Sequence, residues 1–188
     1  MAGNNRYVAM TPSLCKDTSV AIRKELANGQ APYAIILSCS DSRLPPEIIF
    51  DKSIGEIFVV RVAGNIPDPI ILGSLEYAAE HLGSPLLMVL GHEKCGAVKA
   101  TVDADGHAAG NIGQIVKKIA PAASKAKSDS KGKEKGEIVE MAVDNNINMV
   151  ADSLTENSSI LKHLVKEGKL KIVKGKYDLD DGKVTIMK

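Results

Sequence analysis

Apolar and polar positions along this chain fall into blocks with two different periods. "PYAIILSC", from Pro32 to Cys39, is short and almost uninterrupted in its apolar character, the pattern of a strand buried on both faces. "EIFVVRV", Glu56 to Val62, and "PLLMVLGH", Pro85 to His92, read the same way, with β-branched residues concentrated in the first of the two. Between them Ile71, Leu75, Ala78, Ala79 and Leu82 recur at helical spacing. Asp68 and Pro69 open that helix and Gly83 closes it. "PSLCKDTSVAIRKELANG" predicts an earlier helix, with Thr11 as N-cap, Pro12 at its first position and Gly29 beyond its end.

Past His92 the period is again helical, over Cys95 to Val102, Ile112 to Ala126 and Glu137 to Leu154. In the last segment Val143, Ile147, Val150 and Leu154 form one stripe, read as core or subunit packing. "SKAKSDSKGKEKG", lying between the last two segments, is poor in apolar residues and reads as a solvated loop. "SSILKHLVKEGK" predicts a short helix, and "LKIVKGKYDL" and "KVTIMK" flanking Asp-Asp-Gly predict an antiparallel hairpin. Strands separated by helices imply one α/β domain over residues 1–188, a mostly parallel central sheet flanked by helices, with the hairpin at its C-terminal end. Ligands of such sheets bind beyond the carboxyl ends of strands, where strand order reverses. The ends of the first and third strands are therefore the places to look for chemistry.

Composition narrows the classes. With 44% hydrophobic residues, 3% aromatics and no Trp, the core must be made of Ile, Leu, Val, Ala and Met. Lys and Arg number 24 against 23 Asp and Glu, so no general attraction to nucleic acid or anionic membrane is expected. No apolar run approaches the ~20 residues that span a bilayer. "MAGNNRYVAM" lacks the layout of a signal peptide, so a cytoplasmic location is expected. Three cysteines argue against a disulfide framework. Cys15 falls on the first helical segment and reads as a buried thiol. His81, His107 and His163 read as surface or satisfied residues.

Two strand ends carry the candidate chemistry. Cys39, Asp41 and Arg43 alternate along an extended segment, so all three face one side, away from Ser38, Ser40 and Ser42. In "GHEKCG", His92 and Cys95 are separated by a strand-to-helix turn, with Gly91 and Gly96 relaxing the backbone beside them. Two thiolates and an imidazole suit zinc better than magnesium or calcium. A single ion joining both half-sites requires the first and third strands to be neighbours. No second Cys-x-x-Cys knuckle exists to close a structural site, so three ligands with an open fourth position, the catalytic pattern, remain. Either Asp41 fills that position in a resting state, or Arg43 grips its carboxylate and holds it off the metal. "GNIGQ" follows a loop and gives no dinucleotide-binding fingerprint.

"CSDSR" followed by "GHEKCG" resembles the paired motifs of the β-class carbonic anhydrases. The resemblance extends through "DSRLPPEIIF", "GEIFVVRVAGNIP" and "LEYAAEHLG". It implies one Zn2+ per subunit on Cys39, His92 and Cys95, beside the Asp41–Arg43 pair. It also implies reversible hydration of CO2 to bicarbonate and a proton, in a homodimer or larger homo-oligomer with active sites at the subunit boundary. By the same resemblance Gln30 lines the substrate site. Phe58 and Tyr77 line the pocket from the neighbouring subunit, and Ala63 widens it where valine is common. Gly96 and the N–H groups near it face bicarbonate. Arg61 matches the arginine of a regulatory bicarbonate site found in some members, but Ile36 stands where its tryptophan would be, so that regulation is not expected. Hydrolysis of carbonyl sulfide or carbon disulfide on the same scaffold, or a non-catalytic zinc- or anion-binding role, are the other readings.

Overall fold

The computed structural model describes residues 1–13, 18–104 and 108–188. Helix α1, Ala2–Val8, was not foreseen from the sequence. Its anchor is non-local: the Asn4 amide donates to the carbonyls of Ile49 (3.3 Å) and Gly182 (2.9 Å), and its oxygen accepts the Val184 N–H at 2.9 Å. Helix α2 is Val20–Leu26, shorter than predicted. Ser19 caps it by accepting the Ile22 N–H, while the N–H of Thr11 donates to Arg6 in the turn after α1. A hydroxyl close to the apolar positions thus displaces the more distant Thr11–Pro12 start. Cys15 and His107 lie outside the described residues.

Strand β1, Ala34–Ser38, is buried along its whole length, as its apolar run predicts. After the short helix α3, Pro46–Ile49, strand β2 covers Ile57–Arg61 and a tight turn covers Ala63–Asn65. Helix α4, Pro69–Glu76, is capped by Asp68, whose carboxylate accepts the Ile71 N–H at 2.8 Å. It widens into a π-turn at Tyr77–His81 before Gly83, at φ +69°, ends the helical path. Strand β3, Leu86–His92, leads into α5, Gly96–Asp103, and α6, Ile112–Asp129. The predicted loop from Ser124 is therefore partly helical. Ala122, Ala123 and Ala126 are buried and carry α6 onward into the lysine-rich stretch. Helix α7, Lys135–Asn157, starts at a reciprocal capping box of Glu134 and Glu137. Its stripe of Val143, Ile147, Val150 and Leu154 is buried. Helix α8, Ser159–Lys166, and strands β4, Lys171–Tyr177, and β5, Val184–Met187, complete the chain.

The strands form one five-stranded sheet ordered β2-β1-β3-β4-β5. All neighbours are parallel except the β4–β5 hairpin. β1 sends its chain to β2 on one side, and β3 returns on the other side of β1. The strand order therefore reverses between β1 and β3, and these strands pair directly. Cys39 and His92 stand at the carboxyl ends of this pair. Helix α7 lies against β3 and β4, with α5 and α6 packed on it. Gly91 makes that approach possible, since a Cβ there would lie 2.4 Å from the Ile147 side chain.

Candidate metal centre and active site

The ligand atoms of Cys39, His92 and Cys95 lie within 4.8 Å of one another. All three residues are buried, His92 completely (0% exposed). Each arrives by a different route. β1 delivers Cys39 immediately past its last residue, His92 ends β3, and Cys95 is the N-cap residue of α5. Between the last two, Lys94 takes a left-handed conformation, φ +52°, that turns the chain so His92 and Cys95 converge.

The surroundings of the three atoms suit a metal ion. Nδ1 of His92 donates to its neighbour's carbonyl, Glu93 O, at 2.8 Å, which leaves Nε2 as the free lone pair. That Nε2 is buried and has no hydrogen-bond partner. An orphaned polar atom in the interior is costly, and one that faces two sulfurs is accounted for by a shared cation. Cys39 Sγ accepts the Gly64 N–H at 3.3 Å. The Cys95 hydrogen bond, with help from the Gly64 N–H, pushes the Cys39 thiol far below the usual range. Cys95, hydrogen-bonded to that thiolate and desolvated, is pushed above the range. The hydrogen bonds at Cys39 Sγ thus favour its charged form.

Asp41 sits beside this group. Arg43 grips it with two side-chain bonds, Nε to Oδ1 at 2.9 Å and Nη2 to Oδ2 at 2.7 Å, and its backbone N–H adds a third to Oδ1 at 3.0 Å. The Arg43 hydrogen bonds hold the Asp41 carboxyl well below the usual carboxylate range. Asp41 Oδ2 lies 3.9 Å from His92 Nε2. Arg61, at the end of β2, donates to the carbonyls of Cys39 (3.1 Å) and Asp41 (2.6 Å) and so fixes the segment that presents both side chains. That contact was not anticipated. Nor was the part played by Gly64, although the Gly-Asn pair directly after a strand marks a turn in the sequence.

The pocket residues divide into two groups. Ala63 adjoins Gly64 in the turn over Cys39, and Gly96 opens α5 next to Cys95. Gln30, Phe58 and Tyr77 are elsewhere in the same chain. Gln30 is exposed and precedes the amino end of β1. Phe58 pairs in register with Ile35, on the order of 13 Å along the strand from Cys39. Its ring lies 6.5 Å from that of Tyr77, which is 48% exposed. Ile36 is buried inside β1. His81 and His163 lie at the surface beside Glu80 and Glu167.

A family model described as carbonic anhydrase matches residues 34–184. The chain belongs to the β-carbonic anhydrase family. A carbonic anhydrase 2 of Mycobacterium tuberculosis is 38% identical, over 98% of this chain and 87% of that protein. The carbonic anhydrase of Mycolicibacterium smegmatis is 35% identical, over 98% and 88%. Among solved structures, the β-carbonic anhydrase of Coccomyxa in complex with acetazolamide superposes with a TM-score of 0.84 at 26% identity, covering 97% of this chain and 82% of that one. A tetrameric β-carbonic anhydrase of Sordaria macrospora shares the fold, with a TM-score of 0.80 at 23% identity over 99% and 93%. As a β-class carbonic anhydrase, the chain is an enzyme of reversible CO2 hydration, a lyase. Carbonyl sulfide or carbon disulfide hydrolysis and a non-catalytic role are not favoured by these relatives.

Proposed function

We propose that this β-carbonic anhydrase works with one Zn2+ per subunit held by Cys39 Sγ, His92 Nε2 and Cys95 Sγ, with Asp41 kept off the ion by Arg43. The observation that carries the reading is the buried, unpartnered Nε2 of His92 facing two cysteine sulfurs. Zinc, when bound, supplies the Lewis acidity that makes water a nucleophile near neutral pH. Asp41 stays ionised under Arg43 and accepts a hydrogen bond from that water, turning a lone pair toward CO2. Arg61 keeps the Cys39–Asp41 segment in place. The N–H of Gly96, which opens α5, is offered to the oxygens of the forming bicarbonate and favours their charge, while the N–H groups of Ala97 and Val98 serve Cys95 Sγ. Ala63 leaves an uncharged wall for CO2.

Gln30, Phe58 and Tyr77 belong to the pocket of a partner subunit on this reading, so the working unit is at least a homodimer. Their distance from Cys39 within one chain supports that assignment. No helix among the described residues is long and apolar enough to cross a membrane, and thiolate ligands suit a reducing compartment, which supports a cytoplasmic place. Stopped-flow CO2 hydration across pH on metal-quantified protein, with carbonyl sulfide assayed in parallel, tests the proposal. One zinc per subunit and CO2 turnover that rises with pH are expected. Zinc retained in full by Cys39→Ala or Cys95→Ala would rule out those ligands.

A further inference from the structure

Asn146 stands in the buried stripe of α7, between Val143 and Ile147, and is itself 3% exposed. Its neighbours on that face are apolar, and an apolar residue there would cost no buried polar group. What it does instead is donate, through Nδ2, to the carbonyl of Gly64 at 2.9 Å, across 82 positions of sequence. Gly64 in turn gives its N–H to Cys39 Sγ. The backbone of Gly64 is left-handed, φ +70°, and a Cβ there would lie 2.6 Å from Ile119 Cδ1 and 3.4 Å from Ala97 Cβ. The residue that reaches the sulfur is therefore one with no side chain to hold it. Its carbonyl end is pinned by α7.

We propose that Asn146 is a positioning residue for the Cys39 sulfur: by anchoring the Gly64 carbonyl it fixes the Gly64 N–H on Sγ and so sets the electron density this ligand offers a metal ion. An N–H donated to a thiolate favours the charged form and draws density away from it. Outer partners of this kind orient a ligand and tune its metal. The proposal rests on the reading of Cys39, His92 and Cys95 as metal ligands. It goes beyond that reading by placing control of one ligand in a helix that contributes no ligand itself.

The test begins with metal stoichiometry of the wild-type protein loaded with Co2+ or Zn2+. Absence of binding there would end the metal reading, and this proposal with it. With binding established, Asn146→Ala is compared with Asn145→Ala, which removes a side-chain bond from the adjacent residue to the Ala122 carbonyl (3.3 Å) and touches nothing at the centre. Asn146→Ala is expected to shift the thiolate-to-cobalt charge-transfer band to lower energy and to lower Zn2+ affinity by about 10- to 100-fold in chelator competition. Asn145→Ala is expected to leave both at their wild-type values. A band and an affinity unchanged in Asn146→Ala, or shifted equally in both variants, would overturn the proposal. Should Asn146→Ala not fold, Asn146→Leu decides, since it keeps the volume and removes the Nδ2 donor to Gly64: the same band shift and loss of affinity are expected, and wild-type values of both would overturn the proposal.

Discussion

At the scale of single residues, Asp41 is the most exposed to test. Both its oxygens accept hydrogen bonds from Arg43, and on the proposed reading its carboxylate orients water rather than binding the ion. Asp41→Asn is isosteric, keeps an oxygen for Arg43 and removes the charge. Zinc content should stay at the wild-type level while CO2 hydration falls by about 100-fold or more, the size of a lost acid–base or orienting group. Stopped-flow turnover together with elemental analysis reads both, and full activity would remove Asp41 from the reaction. The residue types of this pair were legible in the sequence, but the extended alternation expected of Cys39, Asp41 and Arg43 is not what joins them: β1 ends at Ser38, the chain turns at Ser42 and Arg43, and the Leu44 N–H returns to the Asp41 carbonyl at 2.9 Å. His92 and Cys95 were legible by their donor chemistry. Asn146 was not, since an amide in an apolar stripe carries no local sign of a partner 82 positions away.

At the scale of elements, the group of Cys39, His92 and Cys95 is held by how closely α7 can approach β3. Gly91 precedes His92, and sequence reading took it for backbone freedom. The structure gives it a steric reason instead, since a methyl there would meet Ile147 at 2.4 Å. Gly91→Ala should therefore cost about 1–3 kcal/mol through overpacking. Ile147→Ala alone should cost about 2–5 kcal/mol. Combined, they should cost less than their sum, because alanine removes both Cγ1 and Cδ1, the two atoms the new methyl would meet. Urea unfolding of the three variants reads the coupling, and strict additivity would show that α7 simply shifts. A second inter-element tie is electrostatic. Asp103 at the end of α5 meets Lys135 at the start of α7 (2.8 Å) and Lys99 one turn back (2.8 Å). These hydrogen bonds lower its carboxyl to about 2. A depressed carboxyl stabilises above its unfolded value of 3.8 and loses that contribution as the pH falls through about 2. Exposed pairs add little to unfolding free energy, so the carboxyl resonance is the readout. Its midpoint should stand near 2 and move toward 3.8 in Lys135→Ala. The strands and the α7 stripe were readable from periodicity. The misplaced first helix and the extended α6 were not, because Asn4 and the buried alanines act through tertiary contacts.

At the scale of the whole molecule, one chain brings Cys39, His92 and Cys95 together but keeps Gln30, Phe58 and Tyr77 away from them. The resemblance already implied that Phe58 and Tyr77 come from a neighbouring subunit, but it assigned Gln30 to neither chain. If the pocket of one subunit is finished by its partner, two differently damaged chains should repair each other. Asp41→Asn spoils the site of its own chain. Gln30→Leu spoils the site across the interface. In a mixed dimer, the Asp41→Asn subunit has a site that lacks both groups. The Gln30→Leu subunit keeps its own Asp41 and receives Gln30 from its partner, so its site is intact. Mixing the two weakly active variants under conditions that allow subunit exchange should thus restore one good site per mixed dimer, roughly a quarter of wild-type turnover when mixed dimers are half of the population. If Gln30 instead served its own chain, every subunit would carry a damaged site and mixing would restore nothing. Purifying the mixed dimer on two different affinity tags should then raise the recovered activity to about half of the wild-type value per dimer. Failure of that enrichment would place the pocket within a single subunit.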